Sequence, residues 1–224
     1  MTRSDMRDML SRQLQDLDNA AWSVANKNAY LNLGLQFMQS AVLAVDPEAY
    51  IEISTTNLIA TGDWPDLYPK PQGLIRIFKV ELDYNGDGTY TVAKKLRNDE
   101  IVSLRAGNTT QAADGWAQFG RWIKVWPSPT VAATNGLRLT FVPSLTMGAD
   151  ADVPDLPTYL HKGIVYAARL DALGDTDEDV DPAVLDAVSK KLAVILDRIP
   201  LYFGQDQSEP EQIEIDIDHE SGWG

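Results

Sequence analysis

The stretch Asp83-Tyr84-Asn85-Gly86-Asp87-Gly88 carries side chains at a spacing suited to a divalent cation. Asp83, Asn85 and Asp87 match the first, third and fifth positions of an EF-hand loop, and Gly88 matches the sixth, where the chain turns sharply. Calcium takes roughly six to eight hard oxygen ligands, so such a loop also needs a bidentate carboxylate at its twelfth position. Here that position is Lys94, a cation that would repel the ion. The flanks are strand-like. Before the loop, Leu74, Arg76, Phe78, Val80 and Leu82 alternate with Ile75, Ile77, Lys79 and Glu81, and "TYTVAKKL" follows it. Asn85-Gly86 and Asp87-Gly88 are hairpin sequences, because primed turns need positive φ at their centre. The stretch is expected to be a turn.

The other candidates are thinner. His161 and His219 are the only histidines, one at the start of an expected helix and one in an acidic tail, so no pair stands at metal-ligand spacing. The sequence has no cysteine, which removes thiol nucleophiles, disulfides and thiolate metal sites. It has no GxSxG, Walker A or GxGxxG motif. "DTDEDVD" alternates carboxylates, but Val180 stands where a calcium loop needs Gly, and Pro182 begins a helix at once. The expected role is an acidic loop with a helix cap. Neither a catalytic site, a metal nor a cofactor is expected. Of the six tryptophans, most fall in strand or loop patterns where anchoring is the default. Trp116 and Phe119, in the polar Gly-containing loop "NTTQAADGWAQFG", are the pair expected to be exposed and to serve as a subunit contact.

The elements that hold these residues follow from periodicity. "SDMRDMLSRQLQDLDNAAW" spaces Met6, Met9, Leu10, Leu14 and Leu17 as a helix, with Ser4 or Asp5 as its N-cap. "KNAYLNLGLQFMQSAVLAV" is apolar around most of its circumference, which predicts a buried helix, weakened at Gly34 and ended by Asp46-Pro47. Roughly five strands follow between Tyr50 and Val142: "YIEIST", the two arms of the hairpin, "RWIKVWP" and "GLRLTFV". In "RWIKVWP", Trp122, Lys124 and Trp126 share one side and Ile123 and Val125 the other. "DLPTYLHKGIVYAARLDALG" and "PAVLDAVSKKLAVILDRIP" return the chain to helix, the first entering at Asp155 or Pro157 and ending at Gly174, the second stopping at Pro200. Strands segregated between helices indicate α+β rather than a parallel α/β sheet.

Charge is uneven. The net is −14, and half of it falls after Arg198, where Asp206, Glu209, Glu211, Glu214, Asp216, Asp218 and Glu220 meet no Lys or Arg. Such a balance argues against gripping DNA through phosphates, though DNA can slide past a repelling surface. No apolar run approaches the roughly 18 residues of a membrane span, and the amino terminus lacks a signal-type apolar core. The expectation is a soluble protein made in a cytosol. The tail segment "QIEIDID" alternates Ile213, Ile215 and Ile217 with Glu214, Asp216 and Asp218. It follows the linker-like "GQDQSEPEQ", so its apolar face needs an edge on its own domain, a neighbouring subunit or a partner protein. That docking role is favoured over a frayed acidic solubility tail because the three Ile are so regularly spaced.

A larger pattern joins these pieces. Trp64-Pro65, "LIRIFKVELD", "IKVWPSP", "LRLTFVPSL" and "VPDLPTYLHKGIVYAA" occur in that order, and Val125-Trp126-Pro127-Ser128-Pro129 is paired with Pro154-Asp155-Leu156-Pro157, Tyr159 and His161. Over about residues 24–200 the chain resembles the head-to-tail adaptor (head-completion, connector) proteins of tailed bacteriophages. The resemblance implies a bundle of about four helices with an inserted antiparallel β-sheet and an extended carboxy-terminal tail. On that layout an adaptor domain spans 1–204, with helices in 4–45 and 156–200 around a β-rich insertion at 50–142, and an acidic docking tail spans 205–224. It further implies a non-enzymatic virion protein, forming a homo-oligomeric ring, usually a dodecamer, beneath the portal. The ring extends the DNA channel without specific binding and offers a platform to tail proteins. The portal or a neighbouring subunit is then the partner of residues 213–218. A tail-tube or tail-terminator ring subunit is the alternative within this class. A small calcium- or sugar-binding module and an enzyme are the alternatives outside it.

Overall fold

In a computed structural model the described residues are 1–60, 67–105, 115–175 and 180–203. The first helix, α1 (Arg3–Leu14), is capped two or three residues earlier than its sequence suggests. Thr2, not Ser4 or Asp5, is the N-cap, and Thr2 and Asp5 satisfy each other's backbone N–H in a capping box. It ends where Gln15 turns left-handed. Helix α2 (Val24–Val45) starts from a Ser23 cap and stops at Asp46, as the Asp-Pro pair predicts.

Eight strands follow, in two sheets rather than the single one expected. β1 (Glu52–Leu58), β3 (Leu74–Leu82), β4 (Thr91–Val92) and β8 (Ala133–Pro143) form one sheet in the order β1-β8-β3-β4, antiparallel throughout. β2 (Leu67–Pro69), β5 (Lys94–Lys95), β6 (Gly115–Phe119) and β7 (Trp122–Trp126) form the other in the order β2-β7-β6-β5, in which β5 and β6 run parallel. A short helix, α3 (Asn98–Arg105), leaves β5. The inward faces of both sheets meet in one core of Leu58, Tyr68, Val80, Leu82, Trp116, Ile123, Val125, Leu137, Leu139 and Phe141.

The chain then returns through a single 3-10 turn (Thr158–Leu160) into α4 (His161–Gly174). α5 (Pro182–Leu196) begins at the predicted cap, Asp181 accepting the Ala183 N–H at 2.9 Å. Pro200 does not end that helix. α5 stops at Leu196, and Pro200 sits inside the separate short α6 (Ile199–Phe203), in its first turn, where no intrahelical donor is needed. The helices share a second core around Met6, Leu10, Leu31, Leu35, Met38, Leu160, Ile164 and Ala168.

Polar grips join the helical part to the chain leaving β8. Gln39 Nε2 donates to Pro143 O at 2.7 Å, and its Oε1 accepts from Leu145 N at 3.0 Å. Asn32 Oδ1 accepts from Met147 N at 2.9 Å. Arg7 forks onto both oxygens of Asp150, at 2.7 and 3.0 Å, and Arg3 adds a third bond at 2.9 Å. The architecture is α+β, with a two-sheet insert carried by a helical core.

Candidate interaction surfaces

The Asp83 loop is a turn. β3 and β4 pair antiparallel across it, Glu81 opposite Val92 and Leu82 opposite Thr91. The Asp83 carboxylate accepts backbone N–H bonds from Gly86 at 2.7 Å, Gly88 at 2.8 Å, Asn85 at 3.1 Å and Asp87 at 3.4 Å. Burial raises its pKa, but the four amides outweigh that and leave it below the ordinary carboxylate range. Its oxygens thus face the amides of its own loop, an Asx-type cradle that organises the turn. Gly86 and Gly88 both take positive φ, as the hairpin sequence requires. Among the described residues no group of three His, Asp or Glu side chains is placed to hold a metal ion.

His161 is 1% exposed. Its ring links Leu156 O, at 2.9 Å from Nε2, to the Met1 ammonium, at 3.0 Å from Nδ1. Burial first, and the neighbouring ammonium, hold its pKa below the usual imidazole value. That is a packing role. His219, Trp64 and the acidic stretch 176–179 lie outside the described residues, as do Ile213, Glu214, Ile215, Asp216, Ile217 and Asp218.

Trp116 requires a correction. It lies in a strand, β6, not in a loop, and it is 4% exposed, inside the core between the sheets opposite Val125. Gly115 leaves room for Leu96, whose side chain would have to shift for a Cβ there, 2.7 Å away. Phe119 is half-buried on the other face, its ring 6.1 Å from that of Trp126. The alternation of β7 holds as expected, with Ile123 and Val125 buried and Trp122, Lys124 and Trp126 outward. Arg121 lies over Trp122 and Lys124 over Trp126, each at 5.2 Å, so the outer face of this sheet is aromatic and cationic.

Two further surfaces expose apolar side chains that no other described residue covers. α2, apolar around most of its circumference, is expected to be buried, yet Leu33 and Phe37, one turn apart, are 50% and 45% exposed. The only charged residue among the 22 of α2 is Lys27, and it is fully buried, so the outward face of this helix carries no charge at all. Depletion of charge is a feature such a face shares with the central patches of protein–protein contacts. The second surface is β1, an edge strand, where Ile53 is 66% exposed and Ile51 and Ile59 are also exposed.

Two ion pairs escaped sequence reasoning. Lys27 Nζ lies 2.9 Å from Asp16 Oδ2 and also donates to Ser11 Oγ and Asn19 Oδ1. Asp16 in turn accepts the Ala21 and Trp22 N–H groups at 3.0 Å, which closes the α1–α2 connection. Lys27 holds its pKa well below the ordinary carboxylate range, against the opposing effect of burial. On the first sheet, Arg138 of β8 forks onto Glu81 of β3 with two bonds of 2.8 Å. The signal that would have found Lys27 is a single cation in an otherwise uncharged helix.

The described structure is a helical core with a two-sheet insert that exposes an uncharged helix face and, at the β1 edge, Ile53. The chain belongs to the SU10 adaptor protein family, which it matches over residues 1–208, and is thus a tailed-phage head-to-tail adaptor protein. No curated protein matches it. The resemblance carried by the motif order is borne out.

Proposed function

We propose that the chain is one subunit of a closed ring, of about twelve copies, that binds the phage portal, extends the DNA channel and receives the tail. Membership of the adaptor family over residues 1–208 is the observation that carries this reading. Three features support its finer parts. A ring of identical subunits needs two unlike contact faces per subunit, and the Leu33–Phe37 face of α2 and the β1 edge with Ile53 are two separate candidates. With Trp116 in the core, Phe119 beside Trp122 and Trp126 is the aromatic group left to serve a subunit contact. A net charge of −14 suits a passage that must let DNA slide rather than hold it. Residues 205–224 act as a docking tail on the portal or a neighbouring subunit, with the Ile face of 213–217 as the contact.

Light scattering on the purified chain, alone and with the portal of the same phage, tests the ring. A defined large species that appears with the portal supports it, and a chain that stays monomeric in both overturns it. Deleting 206–224 is expected to leave the core folded while weakening attachment. Ile215→Asp is expected to do the same through lost apolar contact. Unchanged recovery on an immobilised portal complex would count against the docking tail.

A further inference from the structure

We infer that the outer face of the second sheet, carrying Trp122, Trp126 and Arg121, docks on the Leu33–Phe37 face of α2 in a second copy of this chain. The inference rests on the ring reading and names which two surfaces meet.

Charge is segregated along the chain. Residues 50–142 hold ten Lys and Arg against nine Asp and Glu, whereas residues 1–49 and 143–203 hold nine against seventeen. The insert is therefore close to neutral, and the helical part is acidic even without the tail. Within the insert the second sheet goes further, since its four strands contain three Lys and no carboxylate. Arg121, in the turn between β6 and β7, is exposed, and with Lys70 it lines a groove beside Pro69, Pro71 and Leu74. Neither Lys70 nor Arg121 forms an ion pair with a described residue.

The matching surface lies on α2. Tyr30, Leu33 and Phe37 follow one another at helical spacing and share a face. At its Tyr30 end that face meets carboxylates. Tyr30 Oη donates to Asp175 Oδ2 at 3.0 Å, and Asp171 lies one turn earlier in α4. Both carboxylates are exposed, and neither forms an ion pair with a described residue. The sheet face is thus aromatic with cations among and beside the rings, and the helix face is apolar with carboxylates at its border. An apolar centre inside a polar rim is the usual anatomy of a protein contact, and here centre and rim each find their complement.

Three observations favour a second copy as the occupant. Leu33 and Phe37 stand exposed in the folded chain, so its own sheet does not cover them. DNA fits the sheet face poorly, because Arg121 over Trp122 and Lys124 over Trp126 already occupy the ring faces that bases would stack on. Two unlike faces of one chain that complement each other also form a heterologous contact, which repeats around a ring.

Charge reversal tests the pairing in full-length protein, with the portal of the same phage present and light scattering recording assembly. One variant carries Lys70→Glu with Arg121→Glu, the other Asp171→Lys with Asp175→Lys. None of the four residues is buried, so both variants are expected to melt as wild type. Each alone sets like charges across every seam and is expected to need at least about tenfold more protein to assemble. An equal mixture is expected to recover wild-type assembly, because alternating the two restores opposite charges at every seam of an even-numbered ring. Wild-type assembly by either variant alone, or a mixture no better than its parts, overturns the inference and leaves the ring standing. No assembly by the wild-type chain overturns the ring reading and this inference together.

A second measurement needs no substitution. Assemblies of unlabelled and heavy-isotope wild-type chain are treated with a carbodiimide, which joins a Lys amine to a carboxylate. A mixed-isotope cross-link from Lys70 or Lys124 to Asp171 or Asp175 is expected. Cross-links from those lysines to portal carboxylates, or to the carboxylates of 206–220, give the face another occupant and overturn the inference. So does capture of a labelled DNA duplex that the Lys70→Glu, Arg121→Glu variant loses.

Discussion

Gly34→Ala separates the local from the tertiary role of one residue in α2. By helix propensity alone the change should stabilise by about 1 kcal/mol. In the structure, however, a Cβ on residue 34 would run into Ile164 O of α4 and lie 3.0 Å from Ala168 N. Both are backbone atoms, so no rotamer relieves the clash and the two helices must separate. Overpacking costs roughly 1–3 kcal/mol even where side chains can shift. With a rigid backbone the upper figure applies, and a separation of about 1 Å also forfeits a quarter to a half of each dispersion contact across the seam. A gross cost of about 3 kcal/mol less the propensity gain leaves a net loss of about 2 kcal/mol. At about 2–4 °C per kcal/mol for a chain of this size, Tm should fall by about 4–8 °C. Urea unfolding followed by circular dichroism reads the same loss as a lower midpoint at unchanged slope. Gly174→Ala is the control, since a Cβ at the end of α4 meets nothing within 4 Å and should be neutral or slightly stabilising. A Gly34→Ala protein as stable as wild type would refute the close α2–α4 approach.

Other consequences follow from the buried polar groups. Lys27→Met should cost about 3–5 kcal/mol by urea unfolding, because it leaves the Asp16 charge buried without its partner, and Asp16→Asn in the same chain should recover part of that loss. Asp83→Ala should lose about 1–3 kcal/mol by leaving loop amides without their acceptor, while millimolar Ca²⁺ leaves the wild-type Tm unchanged. Acid should destabilise the fold in a defined window. Arg138 holds the Glu81 carboxyl down to about 2, and Arg7 with Arg3 does the same for Asp150. Carboxyls depressed in this way stabilise above the ordinary range and lose that contribution as pH falls through their folded values. Tm should therefore be flat near neutrality and drop between about pH 4.5 and 2, with a shallower drop in Arg138→Gln.

What the sequence determined by itself is what neighbouring residues decide among themselves. The Asn-Gly and Asp-Gly turn, the Asp181-Pro182 helix start, the Asp46-Pro47 stop and the two-sided β7 all read correctly, because φ preference, capping and strand alternation act over a few residues. The division into helices around strands was equally legible, and with it α+β. Pairing was not. Whether β1, β3 and β8 share a sheet with β7, or β6 exists at all, depends on partners far along the chain, and Gly115 among polar residues gave no local sign of a strand. Burial was decided the same way. Trp116 looked exposed from its polar flanks yet faces Val125 across a ladder, and Lys27 is buried against Asp16 only because α1 folds back on α2. Conversely, α2 is apolar around most of its circumference and looked buried, but the described elements cover only part of it, and Leu33 and Phe37 stand exposed. Hydrophobicity sets how much surface a helix would gain by burying; only the packing of its neighbours sets how much it does bury.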